Sequence, residues 1–127
     1  VGEAISAIPG ASDIFLGGVI AYSDKAKREM ISVPAAILKK ESAVSESVVR
    51  LMAENIRSKF GSDYGIATSG VAGPGSAYGQ KAGTVWVAIA SKKETIAVEL
   101  AIKGDRSSVR RATIECAIAT LERILTP

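Results

Sequence analysis

The feature that most constrains this chain is a glycine-rich loop that joins two apolar strands. Residues 63–83 read DYGIATSGVAGPGSAYGQKAG, which begins like a strand and then breaks into glycines around Pro74. A second apolar run, Thr84–Ala90, follows at once. A loop of this kind is costly to order, and glycines let backbone N–H groups approach an anion closely. The loop is therefore either a cradle for a phosphate or carboxylate or a wide structural turn, and its own sequence leaves both open.

Helices are predicted at both ends and in the middle of the chain. Ser45 is a predicted N-cap for a helix that runs to about Phe60, where Gly61 is a natural C-terminal stop. Asp105 is expected to cap the last helix. The predicted helical ranges are 1–8, 24–30, 34–40, 46–60 and 106–125.

Strand patterns are interspersed with these helices. Phe15–Tyr22 and Tyr64–Ser69 have the composition of strands, and Thr95–Ile102 alternates apolar and polar residues. Thr84–Ala90 is almost entirely apolar, which is typical of a strand covered on both faces. This order of elements predicts an α/β fold with a mixed sheet and helices on both of its faces.

Length and charge limit the classes of protein to which the chain can belong. A chain of 127 residues has the length of one domain, so we expect a single domain over 1–127. The net charge is +3 and no basic run exceeds two residues, which does not indicate a nucleic-acid partner. No apolar stretch approaches the roughly 20 residues that span a bilayer, so no membrane association is expected. The single Cys116 cannot form an internal disulfide, which fits a reducing cytoplasm.

The absence of histidine restricts the chemistry further. With no histidine and one cysteine, the chain cannot by itself supply a Ser-His-Asp triad, a Cys-His pair or the usual zinc ligands. A hydrolase built on this chain must therefore take its base from lysine, tyrosine or a carboxylate.

Tyr22, Lys25 and Lys27 cluster where a predicted strand passes into a helix. Strand ends are where α/β proteins place their ligands. A lysine that is partly buried or lies beside another cation can lose its proton near neutral pH and act as a base. The alternative is that these lysines form a solvated helix face.

Arg106 opens the last helix, where a cation opposes the helix dipole at a cost of about 0.3–1 kcal/mol. This position makes sense if an anion docks there, because the guanidinium adds a bidentate pair to the backbone donors. The alternative is a simple cap with Arg106 pointing into water. Ser69 is open to two interpretations as well, as a substrate ligand or as a turn hydroxyl, and Lys81 is placed to close over an anion.

Four segments in order resemble the C-terminal domain of competence/damage-inducible proteins, the CinA-like nicotinamide-nucleotide amidases. Each resembles a motif of that family, and the resemblance runs in order along the whole chain, which is far more specific than any one segment. They are VIAYSDKAK at 19–27, AVSE at 43–46, SGVAGP at 69–74 with Lys81 and GTVW at 83–86, and GDRSSVRR at 104–111. Ala82, Asp24 and Ser42 depart mildly from the family pattern.

The resemblance implies an amidohydrolase that converts nicotinamide mononucleotide to nicotinate mononucleotide and ammonia. Members use a serine nucleophile with a lysine and a tyrosine, and they need no metal or other cofactor. By position, Tyr22 and Lys27 match the catalytic pair, and Ser69 and Arg106 match substrate-contacting residues. The implied fold is a three-layer α/β/α sandwich around a mixed, mostly parallel sheet, and the implied assembly is a homodimer.

Roles for these residues follow from the resemblance and the chemistry together. Neutral Lys27 would take the serine proton and later return one to the leaving ammonia, and Tyr22 would orient the lysine or share the proton. Backbone N–H groups near Gly70 would stabilise the oxyanion. Arg106 and the glycine loop, including Gly73, would hold the ribose phosphate.

The family nucleophile lies in an E-S-C-T-G-G segment that leads into the first helix. This sequence begins at Val1, just after the position where that segment would end, so we expect the serine upstream of Val1. Two further hypotheses are a non-catalytic nucleotide-binding or regulatory module of a larger competence/damage-inducible protein, and a purely structural dimerisation domain.

Overall fold

The computed structural model describes residues 1–126 and contains a mixed α/β fold. The helices are α1 (Gly2–Ser6), α2 (Asp24–Ile31), α3 (Ala35–Glu41), α4 (Glu46–Phe60) and α5 (Arg106–Leu125). The strands are β1 (Gly65–Gly70), β2 (Thr84–Ala90) and β3 (Thr95–Ala101), and a short 3-10 turn lies at Ala11–Asp13.

Three helices begin where the sequence predicts, because a short polar side chain occupies each N-cap. The Ser23 hydroxyl accepts a hydrogen bond from the Ala26 N–H at 3.0 Å, and the Asp105 carboxylate accepts one from the Ser108 N–H at 2.8 Å. Ser45 caps α4 in the same way. At the other end of α4, Gly61 adopts the left-handed conformation that stops the helix.

The three strands form one antiparallel sheet in the order β1-β2-β3. The expectation of a mostly parallel sheet is therefore wrong for the described residues. The reason is the connections: a parallel pair needs a crossover of a dozen or more residues, usually through a helix. Here β2 and β3 are joined by a short polar turn, and the residues between β1 and β2 contain no helix.

Apolar side chains collect on both faces of the sheet. The α4-side cluster contains Ala67, Ala88 and Ala90 of the sheet with Val48, Val49, Met52 and Ala53 of α4. The α5-side cluster contains Val85 and Val87 of β2 with Val109 and Ala117 of α5. Because β2 contributes alternate residues to the two clusters, it is buried on both faces, as its sequence predicts.

Residues 15–22, which we call the 15–22 segment, do not form the predicted strand. Burial alternates along it as in a strand, with Leu16, Ile20 and Tyr22 exposed and Val19 and Ala21 packed against the α4-side cluster. Within the described residues, however, no backbone N–H of residues 16–22 donates to another backbone group. The composition of a strand is present, but a hydrogen-bonded neighbour is not.

The longest helix, α5, carries several charged residues along its length. No helix within residues 1–126 is both long enough and apolar enough to cross a membrane.

Gly65 marks the closest approach between α4 and the sheet. It is buried, and a β-carbon added there would collide with the Ala53 carbonyl oxygen and lie 2.8 Å from the Arg57 Cβ. We expect Gly65→Ala to lower the free energy of unfolding by about 1–3 kcal/mol through this overpacking. Urea denaturation followed by circular dichroism measures the change.

Gly18→Ala is the matched control, because a β-carbon there meets no heavy atom within 4 Å. It should change the free energy of unfolding by less than about 0.5 kcal/mol. Equal losses in the two variants would contradict the packing argument.

Candidate functional site

Lys27 is the one charged residue that is buried within the described part of the chain, with 5% of its surface exposed. It lies in α2, and its Nζ donates hydrogen bonds to the carbonyl oxygens of Ala21 at 2.8 Å and Tyr22 at 3.2 Å. A buried ammonium without such partners would be strongly destabilising. The end of the 15–22 segment thus supplies the acceptors that hold the amine in place.

The surroundings of Lys27 favour its neutral form. Desolvation by burial lowers the pKa of Lys27 below its ordinary value, and the charges of Asp24 and Tyr22 partly oppose this effect. Among residues 1–126 the one ion pair within 4.0 Å joins Arg50 to Glu46, so no carboxylate neutralises Lys27 directly. The amine therefore gives up its proton more readily than a lysine in water.

Arg106 joins two segments that are far apart in the sequence. Its Nη1 donates to the Gly73 carbonyl oxygen at 2.8 Å, and its Nη2 donates to the Tyr22 hydroxyl at 3.4 Å. Arg106 is the first residue of α5, and the Asp105 cap fixes its backbone. The Ser108 N–H also lowers the pKa of the Asp105 carboxyl, so the cap stays ionised.

Tyr22 contacts the two cations through different atoms. Its backbone carbonyl accepts from Lys27, whereas its hydroxyl lies beside Arg106 and its side chain is 73% exposed. The sequence-based hypothesis was that Tyr22 orients Lys27 or shares its proton. In this structure the backbone carbonyl of Tyr22 helps to orient Lys27, and the hydroxyl lies beside the guanidinium of Arg106.

Hydrogen bonds join the two ends of the glycine loop, whereas two N–H groups further along it are unpaired. The Val71 N–H donates to the Thr84 carbonyl at 2.9 Å, and the Gly83 N–H donates to the Val71 carbonyl at 2.7 Å. Among the described residues, the N–H groups of Ala72 and Gly73 have no hydrogen-bond acceptor. These two donors belong to the same short stretch of the loop as the Gly73 carbonyl that Arg106 contacts, and unpaired backbone N–H groups in a glycine-rich loop are suited to an anion.

Two of the predicted substrate ligands have other contacts. The Ser69 hydroxyl donates to the Ala43 carbonyl at 2.7 Å, which ties β1 to the loop before α4. Gly70 packs so closely on β2 that an added β-carbon would lie 2.6 Å from a Val85 methyl group. The structure therefore brings together Tyr22, Lys27, Gly73 and Arg106, and it gives Ser69 and Gly70 packing contacts.

Two surface cavities lie outside this group of residues. One of about 310 Å³ lies between α2 and α4 and is lined by Met30, Ile31, Ser32, Asn55, Ser58 and Lys59, away from the Lys27 amine. The other, of about 190 Å³, borders the glycine loop and is lined by Lys81, Ala82, Gly83, Thr84, Ala101, Ile102 and Lys103. Lys103 was not identified from the sequence, because nothing but its position before the helix cap distinguishes it from other exposed lysines.

The carbonyl groups of Ala21 and Gly73 were also missed. Every residue has a carbonyl group, so no residue type could have indicated these two acceptors.

A sequence model of the CinA C-terminal domain matches residues 1–125, which is nearly the whole chain. The chain belongs to this family. A putative competence-damage inducible protein of Desulforudis audaxviator is 43% identical over 119 residues, or 93% of this chain. A CinA-like protein of Synechococcus sp. strain CC9902 is 51% identical over 94 residues. The chain spans only 29% and 22% of the lengths of these two relatives.

Solved structures share the fold. The competence damage-inducible protein A of Klebsiella pneumoniae superposes with a TM-score of 0.94 at 35% identity, and the match covers 98% of this chain and 78% of that one. A CinA superfamily protein of Escherichia coli gives the same TM-score at 30% identity, with 97% and 72% covered. The CinA-like arrangement of helices and antiparallel sheet is therefore shared with these proteins.

The environment of Lys27 predicts its titration. We expect its amine to titrate at lower pH than the exposed lysines, and Asp24→Asn to lower its pKa further by removing a charge that raises it. NMR titration of the lysine Cε signals measures both values. Because the folded-state pKa lies below the ordinary 10.5, the folded state gains stability as pH rises through that interval.

Glu29→Gln, an exposed change on the same helix, is the control and should leave the Lys27 titration unchanged. If Lys27 titrates together with the exposed lysines, the desolvation argument fails.

Proposed function

We propose that this domain is the amide-hydrolysing part of a nicotinamide mononucleotide deamidase. The observation that carries the proposal is the buried Lys27 amine, which has no carboxylate partner among the described residues and has a lowered pKa. Catalytic bases need a pKa near the working pH, and burial is one way to obtain it in a chain without histidine.

In the first half of the reaction, a serine supplied from outside these 127 residues attacks the carbonyl carbon of the substrate carboxamide. Neutral Lys27 accepts the hydroxyl proton as the new C–O bond forms. The free N–H groups of Ala72 and Gly73 are candidates to donate to the oxyanion, in place of the N–H groups nearer Gly70.

In the second half, the tetrahedral intermediate breaks its C–N bond. The ammonium form of Lys27 returns a proton to the nitrogen, and ammonia leaves. Water then attacks the serine ester as Lys27 accepts its proton, and Lys27 returns that proton to the serine oxygen as the ester bond breaks. The sum is one amide and one water converted to one carboxylate, one ammonia and one proton.

Arg106 is proposed to bind the phosphate of the nucleotide. Its guanidinium donates to the Tyr22 hydroxyl and to the Gly73 carbonyl, and the N–H groups of Ala72 and Gly73 in the same loop have no acceptor. Bidentate contact from arginine and backbone N–H groups at a helix start are both suited to phosphate. Lys81 and Lys103 line the cavity that borders the end of the glycine loop, so they add positive charge near that loop.

We also propose a homodimeric assembly and a three-layer arrangement of the parent fold, which rest on the family resemblance. A cytoplasmic location is proposed from the single Cys116, which cannot form an internal disulfide.

Lys27→Ala should abolish most of the activity. In the longer parent protein that carries the serine, we expect ammonia release from nicotinamide mononucleotide to fall by about 10²–10⁴-fold, the usual contribution of a general base. Lys25→Ala is the control, because Lys25 is an exposed cation on the same helix. Normal turnover by the Lys27 variant would refute the base assignment.

Arg106→Ala should weaken substrate binding to the 127-residue chain. Loss of a charge-assisted contact typically costs about 1.5–3 kcal/mol, which corresponds to roughly 10–150-fold in affinity. Isothermal titration of nicotinamide mononucleotide measures the change, with the exposed Arg110→Ala as the matched control. Equal affinity in both variants would refute the phosphate assignment, and binding without ammonia release by the parent protein would favour the non-catalytic module.

A further inference from the structure

The smaller of the two surface cavities lies where the glycine loop meets the end of β3. It has a volume of about 190 Å³, and both Lys81 and Lys103 line it. The residues that meet in the candidate functional site do not line it; these are Tyr22, Lys27, Gly73 and Arg106. Sites for drug-sized ligands measure roughly 300–1,000 Å³, so this cavity has room for one small ion or for one group of a larger molecule.

Gly83 accounts for the position of this cavity. Its φ is +91°, and a β-carbon there would collide with the Ile102 carbonyl oxygen. The Ile102 N–H in turn donates to the Gly83 carbonyl oxygen at 2.9 Å. Only glycine permits so close a contact between the two backbones. Because the contact holds the end of the glycine loop against the residues that follow β3, Lys81 and Lys103 line one cavity although they are distant in the sequence.

The two lysines of the cavity have no acidic partner. The one ion pair within 4.0 Å among residues 1–126 joins Arg50 to Glu46. The one carboxylate in residues 101–111 is Asp105, which accepts a hydrogen bond from the Ser108 N–H as the cap of α5. Like charges without a counter-charge repel each other, so an anion bound beside both lysines would stabilise the folded chain.

Positive charge is concentrated around the cavity. Residues 81–84 and 101–111 contain one carboxylate and five cations, which are Lys81, Lys103, Arg106, Arg110 and Arg111. The net charge of the whole chain is only +3, so the remaining residues are slightly acidic in total. A local excess of one sign of charge attracts ligands of the opposite sign.

Unpaired backbone donors accompany this charge. Three residues that line the cavity have a backbone N–H without an acceptor in residues 1–126, and they are Lys81, Ala82 and Lys103. Lysine ammonium groups and unpaired backbone N–H groups are donors that proteins commonly use to bind phosphate. The chemistry of the lining therefore matches a phosphate group.

We propose that this cavity is a second anion site, which binds a phosphate group between the glycine loop and the residues after β3. Its ligand is free phosphate or the phosphate of a small organic molecule. The ammonium groups of Lys81 and Lys103 donate to the phosphate oxygens, together with the unpaired backbone donors. The site is separate from the nucleotide phosphate position assigned to Arg106, and it does not depend on the proposed amidase activity.

The test is an NMR titration of the 127-residue chain with inorganic phosphate and, separately, with ribose 5-phosphate. In both titrations we expect saturable shifts of the backbone amides of Lys81, Ala82 and Lys103. The probe with the lower dissociation constant distinguishes free phosphate from a phosphate ester as the preferred ligand. Sodium chloride at the same ionic strength should not reproduce the shifts, because it only screens the exposed charges.

Two double variants locate the bound phosphate. Lys81→Gln combined with Lys103→Gln should raise the dissociation constant for phosphate at least about tenfold, because two charge-assisted contacts are lost. The matched control is Lys92→Gln combined with Lys93→Gln, which removes the same charge from the turn between β2 and β3. All four lysines are exposed, so the midpoint of urea unfolding should stay close to that of the unmodified chain in both variants.

Arg106→Ala separates this site from the proposed nucleotide site, and the three amide shifts should persist in that variant. Three outcomes would overturn the proposal: no saturable shift at the three amides, equal weakening by the two double variants, and loss of the shifts in Arg106→Ala. The last outcome would place the phosphate at Arg106 instead. Because the readout involves neither nicotinamide mononucleotide nor ammonia release, failure of the amidase proposal would leave this result unchanged.

Discussion

Burial of β2 on both faces is the constraint on which the rest of the structure depends. Its alternate residues belong to the α4-side and α5-side clusters, so the positions of both long helices are fixed relative to one strand. The glycine loop leads into the first residue of β2, and α5 begins shortly after the last residue of β3. The free donors at Ala72 and Gly73 and the guanidinium of Arg106 therefore arrive at the same end of the sheet. The site is a consequence of how this central strand is covered.

The buried lysine depends on the irregular character of the 15–22 segment. In a regular strand, the carbonyl groups of Ala21 and Tyr22 would be available to a neighbouring strand. Here they accept from the Lys27 amine instead. The same contacts allow the amine to be buried, and burial lowers its pKa. The same two hydrogen bonds therefore keep Lys27 in its buried position and, through that burial, contribute to its lowered pKa.

The sequence was most informative where a local interaction determines the structure. The caps at Ser45 and Asp105 and the stop at Gly61 were all predicted, because each acts within a few residues. Strand pairing was less predictable. The 15–22 segment has the composition of a strand, but whether it joins a ladder depends on a neighbour that composition does not reveal. The prediction of a mostly parallel sheet was wrong. It followed the family resemblance, whereas the short turn between β2 and β3 favours an antiparallel pair.

The candidate site was predictable in its residues and less so in its contacts. Lys27 was identified by its place where a predicted strand passes into a helix and by the family resemblance, and Arg106 was identified because a cation at a helix start opposes the dipole. The direction of the Ser69 hydroxyl, towards Ala43, depends on a loop that is distant in sequence. Such long-range contacts of single polar atoms leave no periodic signal along the chain.

The hydrogen bonds of Arg106 have a consequence for how the protein responds to a ligand. One side chain bridges residues separated by 84 and by 33 positions, so it closes two large loops of the folded chain. Loop closure has an entropic cost, and a single exposed guanidinium offsets only part of it. An anion bound to Arg106, as in the proposed function, would add free energy to the same closure and by linkage would stabilise the Tyr22 and Gly73 segments against local opening. Under that proposal, occupancy of the site and order at this end of the sheet are thermodynamically coupled.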